Sequence, residues 1–116
     1  MREILTALNL EAGTTGSMVI TLDGIMVAAA LGEHHEEDSM AAFAASLLLT
    51  VKKSLSALNA SSGFRSVTLS ATHGKLSFFD MSNSYLMLVS DPNTELDCEA
   101  APIQKAINKI VSRRMV

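Results

Sequence analysis

GSMVITLDGIMVAAA, residues 16–30, contains two β-rich runs joined by Asp23-Gly24. Asp and Gly both tolerate positive φ, so an Asp-Gly pair between apolar runs is a strong short-range signal for a β-hairpin. The runs, Met18-Val19-Ile20-Thr21-Leu22 and Ile25-Met26-Val27-Ala28-Ala29, are apolar on both alternating faces. Strands of that kind need cover above and below. The rest of the chain is expected to supply a layer of helix on each side.

Upstream, Met1, Ile4, Leu5 and Leu8 recur at i, i+3, i+4 and i+7, the spacing of a short amphipathic helix. Gly13-Thr14-Thr15-Gly16 ends it in a turn. Downstream, a polar connection from Gly32 to Asp38 leads into residues 39–58, which read as one long helix with no charge between Met40 and Val51. Asp38 or Ser39 is placed to cap it, the nearby acids suit its dipole, and Lys52 and Lys53 lie towards its far end. Asn59 to Gly63 is expected to terminate it.

On a helical wheel Met40, Phe43, Ala44, Leu47, Leu48, Val51, Leu55 and Leu58 make one wide stripe, sufficient to dock on a sheet. The opposite side, Ala41, Ala42, Ala45 and Leu49, is apolar and mostly small where a solvated helix would be polar. The economical cover for that side is a second copy of the chain or a partner protein. Replacing Ala45 and Leu49 by glutamate is expected to give a monomer or an insoluble product.

Ser66-Val67-Thr68-Leu69-Ser70-Ala71 alternates strictly between hydroxyl and apolar residues, as a strand does. His73-Gly74 turns into Lys75-Leu76-Ser77-Phe78-Phe79-Asp80, and Ser82-Asn83 into Tyr85-Leu86-Met87-Leu88-Val89, giving a three-strand meander. After Asp91-Pro92-Asn93-Thr94 a final helix places Ile103, Ala106, Ile107, Ile110 and Val111 on one face. Pro102 belongs in its first turn, so it starts near residues 99–101. The order is α-β-β-α-β-β-β-α, an α+β fold. The packing expected is a five-stranded antiparallel sheet with the middle helix on one face and both terminal helices on the other.

The chain has 116 residues, 48% apolar and 18% charged, as expected of one globular domain with an unusually apolar surface. A net charge of −3 and the lack of any basic cluster beyond Arg113-Arg114 argue against nucleic acid as a partner. The single cysteine, Cys98, excludes an internal disulfide and reads as a spectator in a reducing compartment. No signal peptide is visible, and no apolar run approaches the roughly 20 residues that span a bilayer. A cytoplasmic protein without membrane insertion is expected.

Taken together, this order and these residues resemble the Roadblock/dynein light chain family, in its bacterial GTPase-regulator form, as one Roadblock-like domain over residues 1–116. The resemblance rests on residues 16–30 with Asp23-Gly24 in the turn. It is supported by the Ala- and Leu-rich middle helix, Gly74, and the Tyr85-Leu86-Met87-Leu88-Val89 strand. It implies a profilin-like fold and a homo- or heterodimer formed through the middle helix and the strand after it. It also implies a platform that binds a small Ras-like GTPase, or alternatively a motor or cargo light chain holding an extended peptide of a larger partner. The face expected to carry self-association and partner binding is Ala41, Ala42, Ala45, Leu48, Leu49 and Lys52, with Val67 and Leu69 of the following strand. Dimer contact and partner contact are not separable on that face from the sequence.

No enzymatic chemistry is expected. Gly13-Thr14-Thr15-Gly16-Ser17 lacks the lysine, the spacing and the following helix of a phosphate-binding loop. His34 and His35, among Glu33, Glu36, Glu37 and Asp38, lack metal-ligand spacing and read as a solvated loop whose charge is pH-sensitive. No serine sits in a nucleophile elbow. Arg2, Arg65, Arg113 and Arg114 are near element ends and off the middle helix, so any stimulation of a GTPase would come from repositioning its residues. No catalytic residue, metal or cofactor is assigned. The seven methionines read as core filling.

Overall fold

Residues 16–30 form the hairpin their sequence encodes, as β1 (Gly16–Thr21) and β2 (Met26–Ala30). The computed structural model describes residues 1–32, 36–58, 64–97 and 100–114. His34, His35, Cys98 and the expected helix terminator at 59–63 lie outside the described residues. The hairpin turn has three residues rather than two. The Thr21 N–H donates to the Ile25 carbonyl at 2.9 Å and the Gly24 N–H to the Thr21 carbonyl at 3.0 Å. Only Gly24 takes a positive φ, 87°; Asp23 does not. A three-residue loop needs just that one left-handed position, at its third residue. The register shifts between Val19, opposite Ala28, and Ile20, opposite Met26, leaving Val27 unpaired in a β-bulge.

The strands β3 (Ser66–Ser70), β4 (Lys75–Asp80) and β5 (Ser84–Ser90) form the expected antiparallel meander. Its two turns are closed by Ala71 N–H to Gly74 carbonyl and Met81 N–H to Ser84 carbonyl, with Ser82 at φ 73°. β5 pairs antiparallel with β1 from Gly16↔Val89 to Thr21↔Ser84. This long-range pairing sets the sheet order β2-β1-β5-β4-β3. β5 is buried at every position and β1 at all but Thr21, which is why both read as continuous apolar runs.

The helices divide between the two faces as expected. On one face α1 (Arg2–Ala12) and α3 (Ala101–Arg114) bury Leu5, Leu8, Ile103, Ala106 and Ile110 against Val19, Phe79, Leu86 and Leu88. The Ser17 hydroxyl donates to the Leu5 carbonyl there, so the buried polar side chain of β1 on this face is satisfied. Exposed ion pairs, Glu11–Lys105 and Glu3–Arg113, join the helices and contribute little. On the other face α2 (Glu37–Ala57) buries Ala41, Ala44 and Leu48 against Met18, Ile20, Phe78 and Met87. Met18 and Met87 are fully buried and Met81 is buried, in keeping with core filling.

Gly13 ends α1 in the left-handed region, φ 73° and ψ 26°, and the N–H groups of Gly13 and Thr14 both donate to the Asn9 carbonyl. The Asn9 amide donates to the Ala30 carbonyl, and its oxygen accepts from the Thr14 hydroxyl, so the turn is tied to β2. A Cβ at Gly13 would meet nothing within 4 Å. Gly13→Ala should therefore cost only the left-handed backbone penalty, about 1 kcal/mol, read as a small drop in the urea midpoint.

Three expectations for α2 are corrected. Its N-cap is Glu36, with no side-chain cap hydrogen bond, rather than Asp38 or Ser39; Glu37 and Asp38 fall inside the first turn. Lys52 and Lys53 lie short of the last turn, which holds no basic residue. The 21-residue helix also contains an 18-residue window with a mean hydropathy of 1.2, long and apolar enough to cross a membrane by length and composition. Uninterrupted apolar run length passes over this, because a run stops at Ser46, Thr50 and Lys52 whereas the average continues through them.

Candidate self-association and partner faces

The rotation of α2 on the sheet decides what each expected surface residue can do. Ala41 and Leu48 are 4% and 3% exposed, so both belong to the core and neither is available to a partner. Phe43 and Leu58, expected against the sheet, are instead 50% and 77% exposed. The wheel was phased by apolar bulk, whereas the structure seats small residues under the axis. Gly24 shows the reason: a Cβ built there would lie 2.3 Å from the Ala45 Cβ. The hairpin tip and α2 approach so closely that only glycine against alanine fits. That contact places Ala41, Ala44 and Leu48 beneath the helix and turns Phe43 away.

Two flanks result. Ala45 and Leu49, one turn apart, lie on the flank facing the hairpin tip. Here Thr21, Leu22, Ala45, Leu49 and Lys52 surround a notch of about 50 Å³ floored by Ile20, Leu48 and Tyr85. The Lys52 ammonium lies 5.2 Å from the centre of the Tyr85 ring, and Tyr85 stacks on Phe64 at 5.6 Å. Ala42 is exposed and Lys52 half-buried. The notch is well below the few hundred Å³ that a small-molecule ligand occupies.

Met40, Phe43 and Leu47 lie on the side of α2 opposite Ala45. Met40 and Leu47 pack on the same core cluster as Val67 and Leu76. Val67 pairs with the buried Phe78, and Leu69 with Leu76, so Val67 and Leu69 face the α2 side of the sheet. Val67 is half-buried and Leu69 is 41% exposed. Of the residues expected on the surface, the structure thus groups Ala45, Leu49 and Lys52 on one flank and Val67 and Leu69 beyond the other. Phe43 was missed as a surface residue, although it borders a narrow stripe of exposed polar residues, Ser39, Ser46, Thr50 and Lys53, opposite the buried side.

The two sheet edges differ as well. β2 is interrupted by the bulge at Val27, a common way of blunting an edge. β3 pairs with β4 in unbroken register and carries no charge, proline or bulge. Among the described residues no strand pairs with its outer edge, beside exposed Leu69.

Compared with known families, residues 2–91 match the model of the Roadblock/LC7 domain. The chain belongs to the Roadblock/LC7 family. Among curated relatives, an uncharacterized protein of Methanocaldococcus jannaschii, MJ0714, is 25% identical over 107 residues, covering 92% of this chain and 90% of that protein. Among solved structures, Myxococcus xanthus MglB superposes with a TM-score of 0.85 at 14% identity, over 98% of this chain and 94% of that one. A Roadblock/LC7 domain from Streptomyces avermitilis superposes at 0.84 and 16% identity, over 100% and 98%. The fold of this Roadblock/LC7 chain is the expected profilin-like one. At these identities the two solved structures speak for the fold.

Proposed function

We propose that this Roadblock/LC7 protein is a non-enzymatic cytoplasmic regulatory subunit that self-associates and presents its α2 surface to a small Ras-like GTPase. The observation that carries self-association is the open β3 edge with its exposed Leu69, together with the exposed Phe43 of α2. An unprotected apolar edge is a template for another strand, and a second copy supplies an identical one. Family membership supports a regulatory role, and the family resemblance supplies the GTPase as partner. The absence of an assigned catalytic residue makes the proposed effect one of positioning or location rather than chemistry.

Affinity capture from native lysate with a non-hydrolysable GTP analogue, and in parallel with GDP, tests the partner. A Ras-like GTPase enriched in one nucleotide state is the expected result. Equal recovery of a non-GTPase protein in both states overturns it and favours the second reading, a light chain holding an extended peptide. The open β3 edge is the observation that favours that reading, since strand addition needs such an edge.

A further inference from the structure

We propose that the notch between the hairpin tip and α2 is a docking site for an acidic amphipathic segment of a partner protein. The partner places an aliphatic side chain between Leu22 and Leu49 and a carboxylate on Lys52. This deepens the reading of α2 as a partner surface and rests on it, but not on the partner being a GTPase.

Size, charge and location carry the proposal. At about 50 Å³ the notch admits part of one aliphatic side chain and no cofactor. Its walls offer Leu22 and Leu49, 49% and 55% exposed, whose burial would contribute to binding. Lys52 is half-buried over Tyr85 and has no carboxylate partner among the described residues. An ammonium with only an aromatic face for company gains from a carboxylate beside it. Tyr85, 3% exposed, lines the same notch, and its hydroxyl has no hydrogen-bond partner among the described residues. Apolar walls, one cation and one phenol select a segment in which Leu or Ile lies three or four residues from Asp or Glu on a helix. Among the described residues the notch is lined by β1, the hairpin tip, α2 and Tyr85 of β5 and by no residue of β3, so strand pairing through β3 does not occupy it.

The test is selection of a phage-displayed random peptide library on the purified full-length protein, followed by fluorescence polarisation with the enriched peptides. Expected are sequences pairing an aliphatic residue with an acid at that spacing. Their affinity should fall at least tenfold in Lys52→Gln and in Leu22→Ser, with the sedimentation coefficient and melting temperature unchanged. Enriched peptides without an acid, undiminished binding to Lys52→Gln, or no enrichment would overturn the proposal. Binding lost on substitution of Phe43 and Leu69 but retained in Lys52→Gln would place the peptide on β3 and overturn it too. Nucleotide-dependent capture of a GTPase by wild type and Lys52→Gln alike would sustain the platform reading while removing the notch from it.

Discussion

Gly24→Ala should lower the stability of this protein by about 3 kcal/mol, although it adds one methyl group on a hairpin turn. Two costs combine. At φ 87° an L-residue is in the left-handed region, at roughly 1–2 kcal/mol. The new Cβ would also fall 2.3 Å from the Ala45 Cβ, which cannot swing aside because it is fixed to the helix backbone. Relief requires the hairpin tip to lift from α2, an overpacking cost of about 1–3 kcal/mol. The prediction is made specific by a cycle. Ala45→Gly alone should cost about 1 kcal/mol for a helix-interior glycine. In that background Gly24→Ala should cost only its backbone share, about 1 kcal/mol, leaving a coupling of about 2 kcal/mol. Urea unfolding at fixed protein concentration measures all four proteins. Strict additivity would show that the turn and helix do not press on each other.

The second large effect is expected for Phe43→Glu with Leu69→Glu, which should convert a dimer at ten micromolar, roughly, into a monomer. In a two-fold pair these are four substitutions at half-exposed apolar positions. Losing about 1 kcal/mol of burial at each site weakens association by roughly a thousandfold. Like charges brought together across the axis add to that. Sedimentation velocity over a concentration series checks it, with far-ultraviolet circular dichroism confirming that the monomer is folded. Leu49→Glu, on the hairpin flank, should leave the dimer intact. A stable dimer in the Phe43/Leu69 variant, or a monomer in Leu49→Glu, would move the interface to the other flank. The substitution first suggested by the helical wheel, Ala45→Glu with Leu49→Glu, cannot decide the matter. Ala45 touches the hairpin tip, so that change damages the protomer itself.

How much could be read in advance depended on how strongly each residue constrains its neighbours. Asp23-Gly24 between apolar runs announced the hairpin, and Gly13 the end of α1, because positive φ selects residue type directly. The number of residues in the hairpin loop was not legible. It depends on whether Asp23 joins Gly24 in the left-handed region, and Asp is tolerated either way. The faces of α1 and α3 were readable because polar residues mark their outer sides. α2 carries only a narrow one, the exposed Ser39, Ser46, Thr50 and Lys53. With alanine and leucine nearly all round, its rotation is fixed by the fit of Ala45 to Gly24, a contact between distant parts of the chain. Hence Ala41 and Phe43 were exchanged between core and surface. The separation of the expected site into two flanks also needed the strand order, which the β1–β5 pairing sets and no local pattern encodes.

The unlike edges of the sheet bear on what size of assembly this chain can build. If β3 were to meet the β2 of another copy, each addition would expose a fresh β3 and growth would have no end. The bulge at Val27 makes β2 a poor acceptor for a straight strand. Pairing of β3 with β3 consumes the open edge of both copies at once and leaves only the two blunted ones outside. Such a contact is isologous and self-terminating. In an assembly built through β3, one unpaired residue at the far side of the sheet would act as the stop that keeps an adhesive edge from becoming a fibre.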